Sequence, residues 1–379
     1  MSFAFDEEQE LLRAEVRRFA QERIRPGVAE RDKNHEFPRD VVREMGELGL
    51  LGMLVPEEYG GAGYDPLTYV LALEEIAVVC PSTAVTMSVT NSVCCWPIVR
   101  FGSEEVKRQV LPALAGGDEI GGFGLTEPGS GSDAGAMRTT AVRDGDHWVL
   151  DGDKAWITNA GVGSTFVVLA RTDPGSGSKG ISAFVVPAKA PGFTVGTPEE
   201  KLGLKASRTA PLHFSGCRIP AGNLLGEEGQ GFAVAMTTLD HSRLGIAAQA
   251  VGIHRRALEL AVDYARQRVQ FGVPIAEHQA IRFKIAEMAT ELEAARTLTH
   301  FAALAEGRSQ AGRLASEAKV YASEAANRAC WEALQIHGGN GFCEDYEIAR
   351  LYRDVRVTTI YEGTSEMQRI IIARHLLRS

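Results

Sequence analysis

The feature that most constrains this chain is a double change of hydrophobic period. Apolar residues recur at three- and four-residue spacing up to about residue 118, alternate from there to about residue 228, and return to helical spacing from Gly231 onward. A helix repeats its face about every 3.6 residues and a strand every two, so one type of element cannot satisfy both patterns. The chain is therefore expected to be α+β and multidomain, with an N-terminal all-helical domain (1–118), a central β domain (119–228) and a C-terminal helical bundle (229–379). At 379 residues, 45% apolar and 23% charged, it is long enough for two or three domains with cores of their own.

In the first region Asp6 and Gln9 are spaced as a capping box, and Leu12, Val16, Phe19 and Ile24 follow at helical spacing to a stop at Pro26-Gly27. A second helix is expected from Phe37-Pro38 through Val41, Met45 and Leu48, with further helices over Leu67–Val79 and Glu104–Leu114. Ile76 to Val99 carries no charged residue, but Pro81, Pro97, Asn91 and several Ser and Thr make it too polar for lipid. It is expected to be buried helix lining a pocket.

In the alternating region Asp144-Gly145 and Asp151-Gly152 are expected as hairpin turns around the strand His147–Leu150. Thr165–Ala170, Ile181–Val186 and Phe193–Val195 continue the pattern, and their spacing fits a compact β-barrel or small sandwich. Beyond Gly231, Ile246, Ala250, Ile253, Ala257 and Leu260 mark one helix, and Ile281, Ile285, Met288, Leu292 and Ala295 the next. A third, Ala311–Ile336, ends at His337-Gly338-Gly339-Asn340-Gly341, whose glycines allow close backbone approach to something flat or charged.

Several function classes are disfavoured. A net charge of -9, with scattered basic residues, is unlike a nucleic-acid footprint. Six cysteines without a CxxC pair fit neither a disulfide framework nor a zinc site, and no HExxH occurs, so no metal is expected. The N-terminus has neither a basic n-region nor an apolar h-region, so no export signal is visible and a reducing, cytoplasmic setting is the default.

Three segments carry chemistry. Val355–Ile360, β-branched at most positions, favours an extended or tightly constrained backbone and leads to a lone carboxylate, Glu362, followed by Gly363 and an apolar helical pattern over Met367–Leu377. Flanked by Ile360 and Tyr361, Glu362 would have its charged form desolvated and its pKa raised toward neutrality, as suits a general base; alternatively, it caps the following helix. Phe123-Gly124-Leu125-Thr126-Glu127-Pro128-Gly129-Ser130-Gly131-Ser132-Asp133 is rich in small residues and hydroxyls, as a phosphate or heteroaromatic cradle would be and as a solvated surface turn would be. Trp156 and Thr158 lie two apart, on one side of a strand, which suits a planar cofactor; a core tryptophan is the plainer alternative.

Together these segments make a familiar set. LTEPGSGSD from Leu125, KAWITN from Lys154, Arg268-Val269-Gln270-Phe271-Gly272, HGGNG from His337 and IYEGTSE from Ile360 occur in the order found in the acyl-CoA dehydrogenase family, which the chain resembles over its whole length, most closely in the short-chain and short branched-chain branch. The resemblance implies an N-terminal helical domain, a central β-barrel and a C-terminal four-helix bundle, with FAD as cofactor, an acyl-CoA substrate and an electron-transfer flavoprotein as acceptor. A homotetramer acting in fatty acid β-oxidation is implied as well.

Carried over by position, Phe123, Leu125, Thr126 and Ser132 would contact the flavin and its phosphates, Trp156 and Ile157 would lie at the isoalloxazine, and Thr158 would bond its N5 edge. Arg268, Phe271, Gln279, Gln335, Ile336, Gly338 and Gly339 would reach the FAD of a neighbouring subunit, and Thr364, Ser365 and Glu366 would touch FAD after the base. Ser132, Asp240, Arg243, Tyr361 and Gly363 would contact the substrate. Some relatives carry the base at the position of Ser242; a hydroxyl there and a carboxylate at Glu362 predict a single base, which removes the α-proton while the β-hydride passes to flavin N5. The backbone N–H of Glu362 and a ribityl hydroxyl would hold the thioester oxygen.

Trp96, with Cys94 and Cys95, stands where relatives bound the acyl tail, and either limits chain length or packs core. The absence of an arginine from the uncharged stretch fits a dicarboxylic substrate such as glutaryl-CoA less well. A flavin oxidase or monooxygenase on the same fold, a coenzyme-A binding module and a non-catalytic scaffold are the rival classes.

Overall fold

In a computed structural model of the chain, which describes residues 5–377, the first helix begins at its sequence-predicted cap. The Asp6 carboxylate accepts from the Gln9 amide at 2.8 Å and Gln9 Oε1 accepts from the Asp6 amide at 3.3 Å. This pairs donors that a helix start otherwise leaves open. Unlike the sequence expectation, α1 (Glu7–Phe19) does not end the helical run at Pro26-Gly27: the chain passes through a π turn (Ala20–Ile24) and a 3-10 turn (Arg25–Gly27) into α2 (Val28–Asn34). Pro26 sits in the first turn of a new segment, where its missing N–H costs nothing.

α3 (Arg39–Glu47), α4 (Pro66–Val79), α5 (Pro81–Val89), α6 (Trp96–Phe101) and α7 (Glu104–Ala115) complete the first helical layer. The uncharged stretch is the end of α4, α5, a π turn over Thr90–Cys95 and the start of α6, and no helix among the described residues is long and apolar enough to cross a membrane. Some of its buried polar side chains are bonded: Asn91 Nδ2 donates to Leu50 O at 2.8 Å and Met87 O at 3.0 Å, and Ser92 Oγ to Ser88 O at 2.7 Å, whereas the Thr83 and Thr90 hydroxyls have no partner among the described residues. Glu74 and Glu75 of α4 are buried against Arg13, Arg17, Arg255 and Arg296, an ion network that ties four helices together.

The middle of the chain is one eight-stranded sheet built from β1 (Gly121–Gly124), β2 (Thr140–Asp144), β3 (His147–Thr158), β4 (Thr165–Arg171), β5 (Ile181–Pro187), β6 (Phe193–Val195), β7 (Thr209–Pro220) and β8 (Leu224–Leu225). The order is β6-β7-β3-β2-β4-β5-β8, with β1 parallel to β4, so its hydrogen bonding runs between two open ends, β6 and β8. Asp144-Gly145 turns β2 into β3 as expected, but Asp151-Gly152 is no turn. The β3–β7 register slips between Leu150 and Gly152, and Gly152 has a φ of 138° that only glycine tolerates here, because a Cβ would lie 2.7 Å from Thr139 Cα. β3 therefore runs on to Thr158.

Alternate residues of β4 and β5 feed two cores. Phe166, Val168, Phe184 and Val186 pack with Trp148 and Phe214, whereas Val167, Leu169, Ala183 and Val185 pack with Cys94, Cys95, Ile98 and Leu114 of the helical layer. The sheet is thus seated on the helices by its own strand alternation.

α8 (Gly231–Gln267) opens the C-terminal helices. A hairpin of β9 (Val269–Gln270) and β10 (Val273–Pro274), then α9 (Gln279–Leu304), α10 (Ala311–His337), α11 (Glu347–Val355) and α12 (Ser365–Leu377) follow. α8, α9 and α10 pack on one another, α8 and α9 also pack on α4, and α12 lies against α10. Ala247, Ala250 and Ala257 of α8 and Ala315, Ala318, Ala322 and Ala326 of α10 let the axes approach closely within one continuous core.

Candidate active site

The β-branched run before Glu362 is tightly wound rather than extended: it is the end of α11 and a 3-10 turn over Arg356–Thr359. Asn327 Nδ2 holds this turn at Val355 O (3.2 Å) and Thr358 Oγ1 (3.3 Å). Glu362 then has φ 51° and Gly363 φ 95°, two left-handed residues in succession. A Cβ on Gly363 would lie 2.7 Å from Gln368 Nε2, so glycine is required twice over. Glu362 does not cap α12; Thr364 Oγ1 accepts from Met367 N at 3.4 Å instead.

The Glu362 residue is partly exposed, yet its Oε2 is shielded from solvent and has no hydrogen-bond partner among the described residues. Burial pushes its carboxyl up to about 7, with Ser242, Lys319 and Arg243 pulling the other way. Fully buried Gln368 donates from Nε2 to Glu362 O (3.2 Å) and Gly363 O (2.9 Å), and fully buried Lys319 donates from Nζ to Gly363 O (2.7 Å).

An apolar wall stands beside the carboxylate. Tyr361, Phe123 and Val357 pack on Val85, Val89, Val93 and Leu204, so α5, the π turn, β1 and the Glu362 turn meet here. The Tyr361 hydroxyl donates to Gln249 Oε1, and Gln249 Nε2 to Pro81 O at 2.8 Å. On α8, buried Arg243 pairs with half-buried Asp240 and reaches Ser316 Oγ at 3.3 Å. Trp96 turns elsewhere, stacked on His241 at 4.8 Å and 13°, and Cys94 and Cys95 lie in the core beneath the sheet. The apolar wall is therefore built from the valines, not from the Trp96 group.

Of the expected flavin segment, Phe123 and Thr126 are partly exposed and Ser132 is exposed, and Gly129 and Gly131 face open space among the described residues. Leu125 and Ile157 instead bury their side chains in the two cores, so a ligand could meet only their backbone. Trp156 is 62% exposed with φ 61°, and the core tryptophan of the sheet is Trp148. Thr158 is partly exposed beside it. An upturned indole next to an open, glycine-lined, hydroxyl-rich loop fits a planar phosphate-bearing cofactor such as FAD.

The two segments are joined from below by a buried ion pair, Lys154 Nζ to Glu127 Oε1 at 2.7 Å, with Glu127 also accepting from Arg138 N (2.6 Å) and Thr139 N (2.9 Å). Burial pushes Lys154 down to about 8 while Glu127 pulls it back.

Arg268, Phe271, Gln279, Gln335, Gly338 and Gly339 are exposed, at the other end of α8 from Asp240–Arg243; Ile336 is core. Tyr264 stacks on His337 there at 4.2 Å, and Asn340 Nδ2 donates to the Tyr264 hydroxyl at 3.0 Å. After the base, Ser365 is buried with its Oγ unpartnered among the described residues, and Glu366 is exposed. A cavity of about 810 Å³ between α9 and α10, lined by Met288, Trp331, Tyr352 and Arg356, contains none of the expected site residues.

Lys319, Gln368, Gln249 and the Glu127–Lys154 pair had no expected role from sequence. One signal was available: Lys319 falls in phase with Ala315, Ala322 and Ala326, a cation on the apolar face of a helix.

The comparisons agree over the whole chain. The family models "Acyl-CoA dehydrogenase, N-terminal domain", "middle domain" and "C-terminal domain" match residues 6–118, 122–217 and 229–377. The mitochondrial short-chain specific acyl-CoA dehydrogenase of Rattus norvegicus is 52% identical over 379 residues, 100% of this chain and 92% of that protein. Among solved structures, butyryl-CoA dehydrogenase from Megasphaera elsdenii superposes with a TM-score of 0.98 at 42% identity, covering 100% of both chains. A structure described as the electron transferring flavoprotein of Acidaminococcus fermentans also gives 0.98, at 45% identity and 100% of both chains. With all three of its domain models matched in order, the chain belongs to the acyl-CoA dehydrogenase family of flavoprotein oxidoreductases.

Proposed function

We propose that this enzyme uses FAD to dehydrogenate a short or branched acyl-CoA between its α and β carbons, giving the trans-2-enoyl-CoA, with Glu362 as the base. The observation that carries the proposal is a carboxylate oxygen without a partner, shielded from solvent beside an apolar wall, with its pKa raised to about 7. Such a group is about half ionised at neutral pH, close to the balance that suits a general base. The family and the short-chain relatives support the reaction class.

The acyl chain lies along Val85, Val89, Val93 and Tyr361, which exclude water and present Cα to Glu362. The Glu362 N–H donates to the thioester oxygen as negative charge develops there. Glu362 Oε2 takes the α-proton and keeps it until the product leaves. Bound FAD supplies the acceptor for the β-hydride. Phe123, Thr126, Ser132, Trp156, Thr158, Thr364, Ser365 and Glu366, with the backbone of Leu125 and Ile157, hold and orient it. Asp240, Arg243, Ser132 and Gly363 line the approach of the coenzyme A. Electrons then pass to an electron-transfer flavoprotein.

The enzyme is further proposed to be a homotetramer in which Arg268, Phe271, Gln279, Gln335, Gly338 and Gly339 reach a neighbour's FAD. Phe271 at 94% exposed and Phe342 at 86% support this, since side chains of that size are costly to leave in water.

The test is anaerobic titration of the purified flavoprotein with butyryl-, isobutyryl-, hexanoyl- and octanoyl-CoA. Bleaching of the flavin band by the short acyl chains is expected. Glu362→Gln should keep its FAD and slow bleaching by about 10²- to 10⁴-fold. Normal reduction by that variant would remove Glu362 as the base, and rapid oxygen consumption on adding substrate would favour an oxidase.

A further inference from the structure

We propose that Lys319 is a positioning residue for this reaction: it holds the Glu362 turn through the Gly363 carbonyl and faces the base with a buried positive charge. This role rests on Glu362 being the base, and adds a residue that acts through it.

The turn bearing Glu362 does not hold itself. Both Glu362 and Gly363 have positive φ, a conformation that a residue with a Cβ rarely adopts and that persists only where its surroundings enforce it. Two fully buried side chains from different helices enforce it. Lys319 of α10 and Gln368 of α12 both donate to Gly363 O, at 2.7 and 2.9 Å, and a carbonyl oxygen has a lone pair for each. An asparagine or a serine could have supplied another neutral donor. A lysine is a costly choice, because an ammonium loses its hydration when enclosed and here bonds a neutral carbonyl.

What offsets that cost is its neighbour. Glu362, Tyr69 of α4, Arg243 of α8, Lys319 of α10 and the adjoining Tyr361 are the titratable and charged groups that face one another here, with Glu324 and Glu366 also within the field of Lys319. Burial pushes the Glu362 carboxyl up, and Ser242 by its hydroxyl, then Lys319 and Arg243 by their charges, pull it the other way, leaving it at about 7. Burial in turn brings Lys319 down to about 8, so both groups titrate near neutrality. Gln368 shares the geometric task and not the electrostatic one, which makes the two separable.

The experiment compares wild type, Lys319→Met, Lys319→Arg, Lys319→Gln, Gln368→Leu, Glu362→Gln and Lys319→Met/Glu362→Gln as holoenzymes, reading the rate of anaerobic flavin reduction by butyryl-CoA on both sides of neutral pH. Lys319→Met is expected to retain FAD, to slow reduction by about 10²-fold, the scale of a misplaced catalytic group, and to move the acid limb of the profile to higher pH. Lys319→Arg should restore the limb but only part of the rate, and Gln368→Leu should slow reduction with the limb unmoved. The double variant should be no slower than Glu362→Gln. If Lys319→Met does not fold, Lys319→Gln carries the test, with the same upward shift expected. An unmoved limb in whichever neutral variant folds, alongside an inactive Glu362→Gln, overturns the role of Lys319. Wild-type reduction by Glu362→Gln overturns the base assignment instead.

Discussion

At the scale of single residues, what suits Glu362 to its proposed role as base also makes it a burden on the fold. Its carboxyl titrates near 7 in the folded chain against an ordinary value of 4.5, so the folded state binds the proton more tightly than the unfolded state does. Whatever stability this proton brings is complete below about pH 4.5 and is lost as pH rises through about 7. Near pH 8 the ionised group then costs about 3 kcal/mol, since each tenfold difference in proton affinity between the two states is worth about 1.4 kcal/mol. Glu362→Gln, which is never ionised, should therefore melt higher than wild type near pH 8, and the gap should close toward pH 5. Thermal melts of the two holoenzymes at both pH values check this; a gap independent of pH would mean that the carboxyl titrates at its ordinary value.

The carboxylate was legible in sequence because a lone acid between apolar neighbours and a glycine is unusual. The support of its turn by Lys319 and Gln368 was not, because those contacts join residues 44 and 5 positions from Gly363 through tertiary packing. Periodicity marks Lys319 as misplaced on its helix without saying what it meets.

At the scale of elements, the helices were the most legible part. Their apolar period is long, and the Asp6–Gln9 cap is as local as a signal can be. The misreadings came where one residue type serves two geometries. Pro26-Gly27 stops many helices, yet here it falls at a junction between helical segments, and Asp151-Gly152 is a common turn pair that here continues β3 opposite a bulge in β7. β7 escaped notice because exposed Ser215-Gly216 interrupts its alternation, two residues standing there opposite the single Asp151 of β3.

The same strand carries the clearest energetic prediction. Lys154→Met would leave Glu127 buried with only two backbone donors, at an expected cost of about 3–5 kcal/mol. Because Lys154 also bonds Leu125 O at 3.2 Å, the loop and β3 should loosen together. Urea unfolding should shift to lower concentration and FAD should be lost more readily on dilution; unchanged FAD retention would show that the pair is only structural.

For the whole molecule, the three-part plan followed from the change of period, while the way the parts are joined did not. β4 and β5 read as strands of the alternating region, and only the folded chain shows their alternate residues divided between a core inside the sheet and one shared with the helices. The exposed Phe271, Phe342 and Trp331, together with the α9–α10 cavity, are surfaces that sequence could not rank, since exposure is a property of the assembled chain.

α8 crosses this whole arrangement. Asp240 lies near its start and Arg268 just past its end, about 40 Å apart at 1.5 Å per residue. In the proposed tetramer, one rod then serves its own active site at one end and a neighbour's cofactor at the other. Genetic damage would divide along the same line. A subunit carrying Arg268→Ala impairs its partner's site, while a Glu362→Gln subunit impairs its own. When the two are refolded together, a mixed pair places both lesions in one active site and leaves the other whole. Two defective proteins should thus restore activity that neither has alone, a form of intersubunit complementation. If each chain served only itself, the mixture would be as inactive as its parts.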